Sequence, residues 1–119
     1  MKLVITAAGP DLSSSVDERF GRAPYLLLVD TPDRTFQAID NRAGVGAAQG
    51  AGIQAAQSVI DSKASVLITG HCGPKAFRAL TAAGVHVYLT PGGTVDEVIS
   101  RFETNELALA PAADVDGHW

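Results

Sequence analysis

The sequence predicts a three-layer α/β domain built on a mixed sheet of about five strands, with an antiparallel hairpin at one edge and three helices. Three observations lead there. In the second half of the chain, short apolar β-branched runs alternate with segments of helical spacing, the order produced when helical crossovers join parallel strands. In the first half, two strand-like runs are separated only by a proline turn, which makes a hairpin. A length of 119 residues with 46% hydrophobic content fits one domain with a substantial core.

The first strand is read over residues 2–8, Lys-Leu-Val-Ile-Thr-Ala-Ala, and is followed by a polar loop rich in Ser, Gly and Pro. Residues 25–30 and 34–40 flank Thr31-Pro32-Asp33 and form the hairpin; the second of these strands alternates, with Phe36, Ala38 and Asp40 opposed to Thr35, Gln37 and Ile39. Residues 41–46 are a loop. A helix over 47–61 places Ile53, Ala56 and Ile60 on one face and Gln54, Gln57 and Asp61 on the other. Residues 64–69, Ala-Ser-Val-Leu-Ile-Thr, read as an inner strand. The next helix starts at Pro74, a residue suited to a first helical position, carries Phe77, Leu80 and Ala83 as its buried stripe, and stops at Gly84. Residues 85–89 form a short strand. Thr94 and Glu97 then stand in capping-box spacing ahead of Val95, Val98, Ile99 and Phe102, which specifies a third helix. Crossovers of one hand make the strands around Val66 and Val87 parallel neighbours, with the first strand beside them. Residues 1–104 are thus read as the folded domain and 105–119 as a mobile acidic tail.

Charge locates what the chain does not do. Of 13 acidic residues, Glu103, Glu106, Asp114 and Asp116 follow the last basic residue, Arg101, which leaves nine acidic residues against nine basic ones in the preceding body. A neutral body lacks the clustered Lys and Arg of a duplex-binding surface, so no nucleic-acid partner is expected. A single cysteine cannot make an internal disulfide, and no apolar run approaches the roughly 20 residues of a membrane span. A cytoplasmic, soluble monomer without membrane contact is expected.

Chemistry concentrates at Thr69-Gly-His-Cys-Gly-Pro-Lys75, where the only cysteine stands beside a histidine at a strand-to-helix junction. Ligands of open α/β sheets gather outside the carboxyl ends of parallel strands. Three loops are expected to meet there, 8–15, 70–74 and 90–94, the last two each opening a helix whose unpaired N–H groups favour an anion. Asp17, Arg19 and Arg22 could close over that end. The expected ligand contacts are Arg19, Arg22, His71, Cys72, Gly73, Lys75, Gly92, Gly93 and Thr94, with His71 and Cys72 as the candidate metal ligands, since soft thiolate suits Cu(I). His86 reads as a strand-face residue and His118 as a solvated one. Gly44-Val-Gly-Ala-Ala-Gln49 falls short of a dinucleotide fingerprint because glutamine replaces the third glycine and no strand directly precedes it.

Four segments together resemble the dinitrogenase iron-molybdenum cofactor biosynthesis family. They are Ser15-Val-Asp-Glu-Arg-Phe-Gly-Arg-Ala-Pro-Tyr25, Asn41 with the following Gly-Ala-Ala-Gln-Gly50, Gly70-His-Cys-Gly-Pro-Lys-Ala-Phe77, and Ala83-Gly-Val-His-Val-Tyr88. The resemblance spans residues 1–102. It implies a ribonuclease-H-like α/β fold and non-catalytic binding of a metal–sulfur cluster. The short single-domain form resembles the stand-alone members that carry a molybdenum–copper sulfide cluster; the alternative cargo is iron-molybdenum cofactor or a precursor. Where the family pattern commonly reads His-Phe-Gly, this chain has Arg19-Phe20-Gly21, which replaces a metal ligand by a permanent cation and favours anion pairing. The resemblance also implies ATPase or cluster-assembly proteins as partners.

Two other functional classes have different sequence requirements. A nuclease needs clustered carboxylates to hold two metal ions, and the first strand carries none; no Gly-x-Ser-x-Gly elbow supports a hydrolase. No enzymatic activity is therefore expected. A regulatory or scaffold domain that docks a protein partner through its acidic tail is the alternative function; it predicts that deleting residues 111–119 loses complex formation and spares cluster binding.

Overall fold

The computed structural model describes residues 1–42 and 51–110. The expected start of the first helix at 47–50, the Gly44–Gln49 motif, most of the 41–46 loop, His118 and the end of the acidic tail lie outside the described residues. The elements run β1 (Lys2–Ala7), β2 (Tyr25–Asp30), β3 (Thr35–Asp40), α1 (Ala51–Asp61), β4 (Val66–Thr69), α2 (Pro74–Ala82), β5 (His86–Leu89), α3 (Val95–Glu103) and β6 (Ala108–Leu109). The sheet order is β3-β2-β1-β4-β5-β6. The β1–β4 and β4–β5 pairs are parallel and the others antiparallel, so the hairpin forms one edge as the turn at Pro32 predicts.

Two apolar layers sandwich this sheet. On one face Ala55, Ala56 and Val59 of α1 and Ala76 and Leu80 of α2 pack on Val4, Leu26, Leu67 and Val87. On the other, Val95, Val98 and Ile99 of α3 pack on Leu3, Ile5, Leu27, Val29 and Ile68. Central strands covered on both faces must be apolar at successive positions, which is why Leu3, Val4, Ile5, Leu67 and Ile68 are all fully buried. Tyr88 and Phe102 close the α3 side with an edge-to-face contact, centroids 5.1 Å apart.

The structure corrects the sequence reading at four places. The buried stripe of α1 is Ala51, Ala55, Ala56 and Val59, with Ile60 packed beside it; of the expected face Ala56 and Ile60 hold, while Ile53 is 44% exposed, because small alanines rather than the large residue let the helix approach the sheet. In α2 the buried residues are Ala76 and Leu80, with Ala83 exposed just past the helix end. Strand β3 does not alternate between buried and exposed faces: Ile39 is its one half-buried residue and Phe36 is 43% exposed, as an uncovered edge allows. Residues 105–110 are not part of a free tail. After α3, Glu106 N donates to Arg101 O (2.8 Å), and β6 adds a sixth strand beside β5, with the Ala110 amide donating to Val87 O (2.8 Å) and its side chain buried.

Arg34, at φ 61° in the β2–β3 turn, reaches α3. Its guanidinium donates to Glu103 Oε1 (2.7 Å) and Ser100 Oγ (2.9 Å) and pairs with Asp96. This cluster fastens the hairpin to α3. Asp40 is held at a pKa of about 2 by hydrogen bonds from Arg42, whose guanidinium also lies 5.5 Å from the Tyr25 ring centroid.

Candidate functional site

The three loops expected at the carboxyl ends of β1, β4 and β5 do meet, and one segment binds them together. Residues 15–20 run as an extended strap across the sheet end. Ser15 bridges to Thr94, Val16 to Ala7 and Arg19 to His71. The strap is fixed by backbone hydrogen bonds in both directions: Val16 N to Gly93 O (2.9 Å), Asp17 N to Thr6 O (3.0 Å), Phe20 N to His71 O (3.1 Å), and Ala8 N to Ser15 O (2.9 Å). Phe20 anchors its far end in the core at 1% exposure. Gly70 permits the close passage, because a Cβ there would stand 2.7 Å from the Glu18 Cα. Gly21, at φ 93°, likewise lets the chain turn against Gly52 of α1.

Above the strap an open cleft of about 440 Å³ is lined by Ala8, Val16, Asp17, Glu18 and Arg19. Arg19 is exposed; its amide donates to Asp17 Oδ1 (3.0 Å), which engages that carboxylate oxygen in a local turn. Arg22 follows half-buried, its amide bonded to Arg19 O (3.2 Å). The cleft is therefore of mixed charge, with the Arg19 cation against the Asp17 and Glu18 carboxylates. Arg19 was expected on a closing lid; the hydrogen bonds place it on a fixed strap.

The two helix starts differ. At α2, Gly73 occupies the N-cap position without a side-chain cap and Pro74 follows, so the first turn keeps the donor end expected from the sequence. Lys75 is exposed beside it and His71 half-buried before it. At α3 every early donor has a protein partner: Thr94 N to Glu97 Oε1 (3.0 Å), Val95 N to Ser14 O (2.9 Å), Asp96 N to Leu12 O (2.9 Å), and Glu97 N to Thr94 Oγ1 (3.2 Å). The expectation of a second anion-binding helix start at Thr94 is corrected: those amides bind the 8–15 loop, and Asp96 and Glu97 already place negative charge in that turn. Gly92 and Gly93 hold φ of 131° and 111°, and Arg101 of α3 reaches back to Gly92 O (2.9 Å), so this loop too is fixed.

Cys72 is 1% exposed and belongs to the core cluster of Phe20, Ala76 and Leu80. It does not stand at the surface with His71, contrary to the sequence expectation. The residue after a strand end can turn its side chain to either side of the layer, and here the apolar side prevailed. Among the described residues no group of three or more His, Cys, Asp or Glu side chains could hold a metal ion.

Sequence reasoning missed Thr6, Thr69 and Glu18. Thr6 and Thr69 are fully buried at adjacent positions of neighbouring strands, their hydroxyls 2.9 Å apart. The available signal was a lone hydroxyl residue in each of two otherwise apolar strands.

This arrangement, a parallel-centred α/β sheet with an open cleft of mixed charge at its carboxyl end, defines a small α/β domain with one candidate site. The family model described as dinitrogenase iron-molybdenum cofactor matches residues 1–105, and the chain belongs to that family. Its structure is similar to the apo orange protein from Desulfovibrio gigas, with 41% identity, 96% of each chain covered and a TM-score of 0.92. It is also similar to the NMR structure of a NifB-like Thermotoga protein of the DUF35 family, at 35% identity, 98% of each chain and TM-score 0.84. A protein from Methanocaldococcus jannaschii shares the fold at 19% identity and TM-score 0.72, with 94% of this chain and 96% of that one covered. Comparison with curated proteins gives no match. Family and relatives support a cluster-binding role, and no helix among the described residues is long and apolar enough to cross a membrane.

Proposed function

We propose that this chain binds a molybdenum–copper sulfide cluster as cargo, without turnover, and carries or stores it at the carboxyl end of the sheet. Iron-molybdenum cofactor or a precursor is the alternative cargo of the same chemistry. The observation that carries the reading is the placement of Arg19, which lines an open cleft and lies on a strap bridged to His71, two residues before the uncapped start of α2 at Gly73. A thiometalate is a compact anion with a diffuse sulfur surface. Backbone N–H groups and cations can hold it without a protein–metal bond. In this reading Arg19, Arg22 and Lys75 supply charge, Gly73 and the first turn of α2 supply donors, Gly92 and Gly93 shape the adjacent wall, and His71 is the one side chain of the set able to approach copper. The similarity to the orange protein over nearly the whole chain supports a carrier rather than an enzyme.

Absorbance titration of the metal-free protein with tetrathiomolybdate and Cu(I) tests this. Wild type takes up a fixed stoichiometry, with affinity falling as salt rises. The Arg19→Ala, Lys75→Ala double variant binds at least about tenfold more weakly, the worth of a charge-assisted contact. Unchanged uptake by the double variant would remove the electrostatic site.

A further inference from the structure

We infer that Thr6 is a positioning residue: its buried hydroxyl latches the strap across the carboxyl ends of β1 and β4 and thereby fixes Arg19 at the cleft. For its ligand the inference rests on the cargo reading above; its geometry stands without it. The neighbours of Thr6 in β1, Leu3, Val4, Ile5 and Ala7, are all apolar and fully buried, and Thr6 is itself 0% exposed. A valine would fill the same space, so the hydroxyl is there for its hydrogen bonds. It donates to Asp17 O at 2.7 Å, while the Thr6 carbonyl accepts from Asp17 N at 3.0 Å. One residue thus grips both polar groups of the Asp17 backbone. The Thr6 hydroxyl has one proton, committed to Asp17 O; the Thr69 hydroxyl, 2.9 Å away, supplies its own to Thr6. The result is a directed chain from β4 through β1 to the strap.

From Asp17 the geometry passes outward. Its Oδ1 accepts from Arg19 N (3.0 Å), and Phe20 N closes the segment onto His71 O (3.1 Å). A strap held this way at both Asp17 and Phe20 presents Arg19 before any ligand arrives. Binding then spends little on ordering, and release is slowed.

Three variants of the intact chain decide the matter: Thr6→Val, which keeps the shape and deletes the hydroxyl; Thr6→Ser, which restores it; and Ile99→Val, which trims a core layer and leaves the Thr6–Asp17 hydrogen bonds in place. Thr69→Val removes the neighbouring donor and serves if Thr6→Val fails to fold. In the metal-free protein, amide hydrogen exchange at Asp17 and Phe20 is expected to quicken about tenfold in Thr6→Val, the loss of one buried hydrogen bond, and to return towards wild type in Thr6→Ser. Protein loaded with tetrathiomolybdate and Cu(I) is expected to release its cluster about tenfold faster in Thr6→Val only. Ile99→Val lowers thermal stability without changing either readout. Unchanged exchange in Thr6→Val would overturn the latch. Faster exchange with unchanged release would overturn its role in positioning the site. If wild type takes up no cluster, the cargo reading fails and positioning for that cargo fails with it, while the exchange result still decides whether the latch exists.

Discussion

Phe20 and Cys72 show how one residue's direction sets what a site can do. Phe20 follows Arg19 on the strap and turns into the core, so its amide can bond His71 O while its ring holds the strap down. Cys72 follows His71 and turns into the same cluster. The thiol is then packing rather than a surface ligand, and Cys72→Ala is predicted to retain full cluster uptake while losing about 1 kcal/mol of stability to the small cavity. Denaturant unfolding and the absorbance spectrum of the loaded protein check the two halves separately; loss of the cluster from a folded Cys72→Ala protein contradicts the assignment. The meeting of Arg19 and His71 was legible at this scale. Arg19 and His71 stand out as a cation and an imidazole in loops that a parallel sheet must bring together. The turning of Cys72 was not legible, because the two sides of a chain leaving a strand differ only in what distant elements place there.

At the scale of elements, α3 was the most legible and its surroundings the least. Thr94 and Glu97 form the capping box that their spacing predicts, with each side chain satisfying the other's amide. What covers the remaining donors is a pair of carbonyls, Leu12 O and Ser14 O, contributed by a loop some 80 residues earlier in the chain. Carbonyls carry no residue signature, so an occupied helix start reads in sequence like an open one. Strand β6 was hidden for a related reason: two exposed residues have no periodicity, and their pairing with β5 exists only once α3 has returned the chain. The box makes a prediction about pH. The Thr94 backbone amide, then its hydroxyl, hold the Glu97 carboxyl below its ordinary 4.5. A depressed folded value means that the contribution is fully present above 4.5 and fades as pH falls through the lower folded value. Thr94→Ala is predicted to cost about 1 kcal/mol at neutral pH. Glu97→Gln should flatten the acid limb of a thermal melt series; an acid limb identical to wild type means that the box is not formed in solution.

For the whole molecule, the mixed sheet is what gathers the candidate site at one end. Parallel pairing of β1, β4 and β5 sends three carboxyl ends, and the three loops after them, to one side. The antiparallel hairpin and β6 occupy the two edges and leave that side open. Hydrogen bonds between the loops then fix them to one another, so the molecule presents a formed cleft rather than one that closes on its ligand. Topology of this sort was readable from the order of elements because crossover handedness and the proline hairpin leave few alternatives. The proposed cargo of this formed site is a compact metal–sulfide anion. Native mass spectrometry of metal-free protein incubated with tetrathiomolybdate and copper, beside each component alone, tests it most directly. One discrete mass increase matching a mixed molybdenum–copper sulfide is expected, absent with either component alone and diminished in the Arg19→Ala, Lys75→Ala variant; a folded protein that retains no cluster would contradict the proposed cargo.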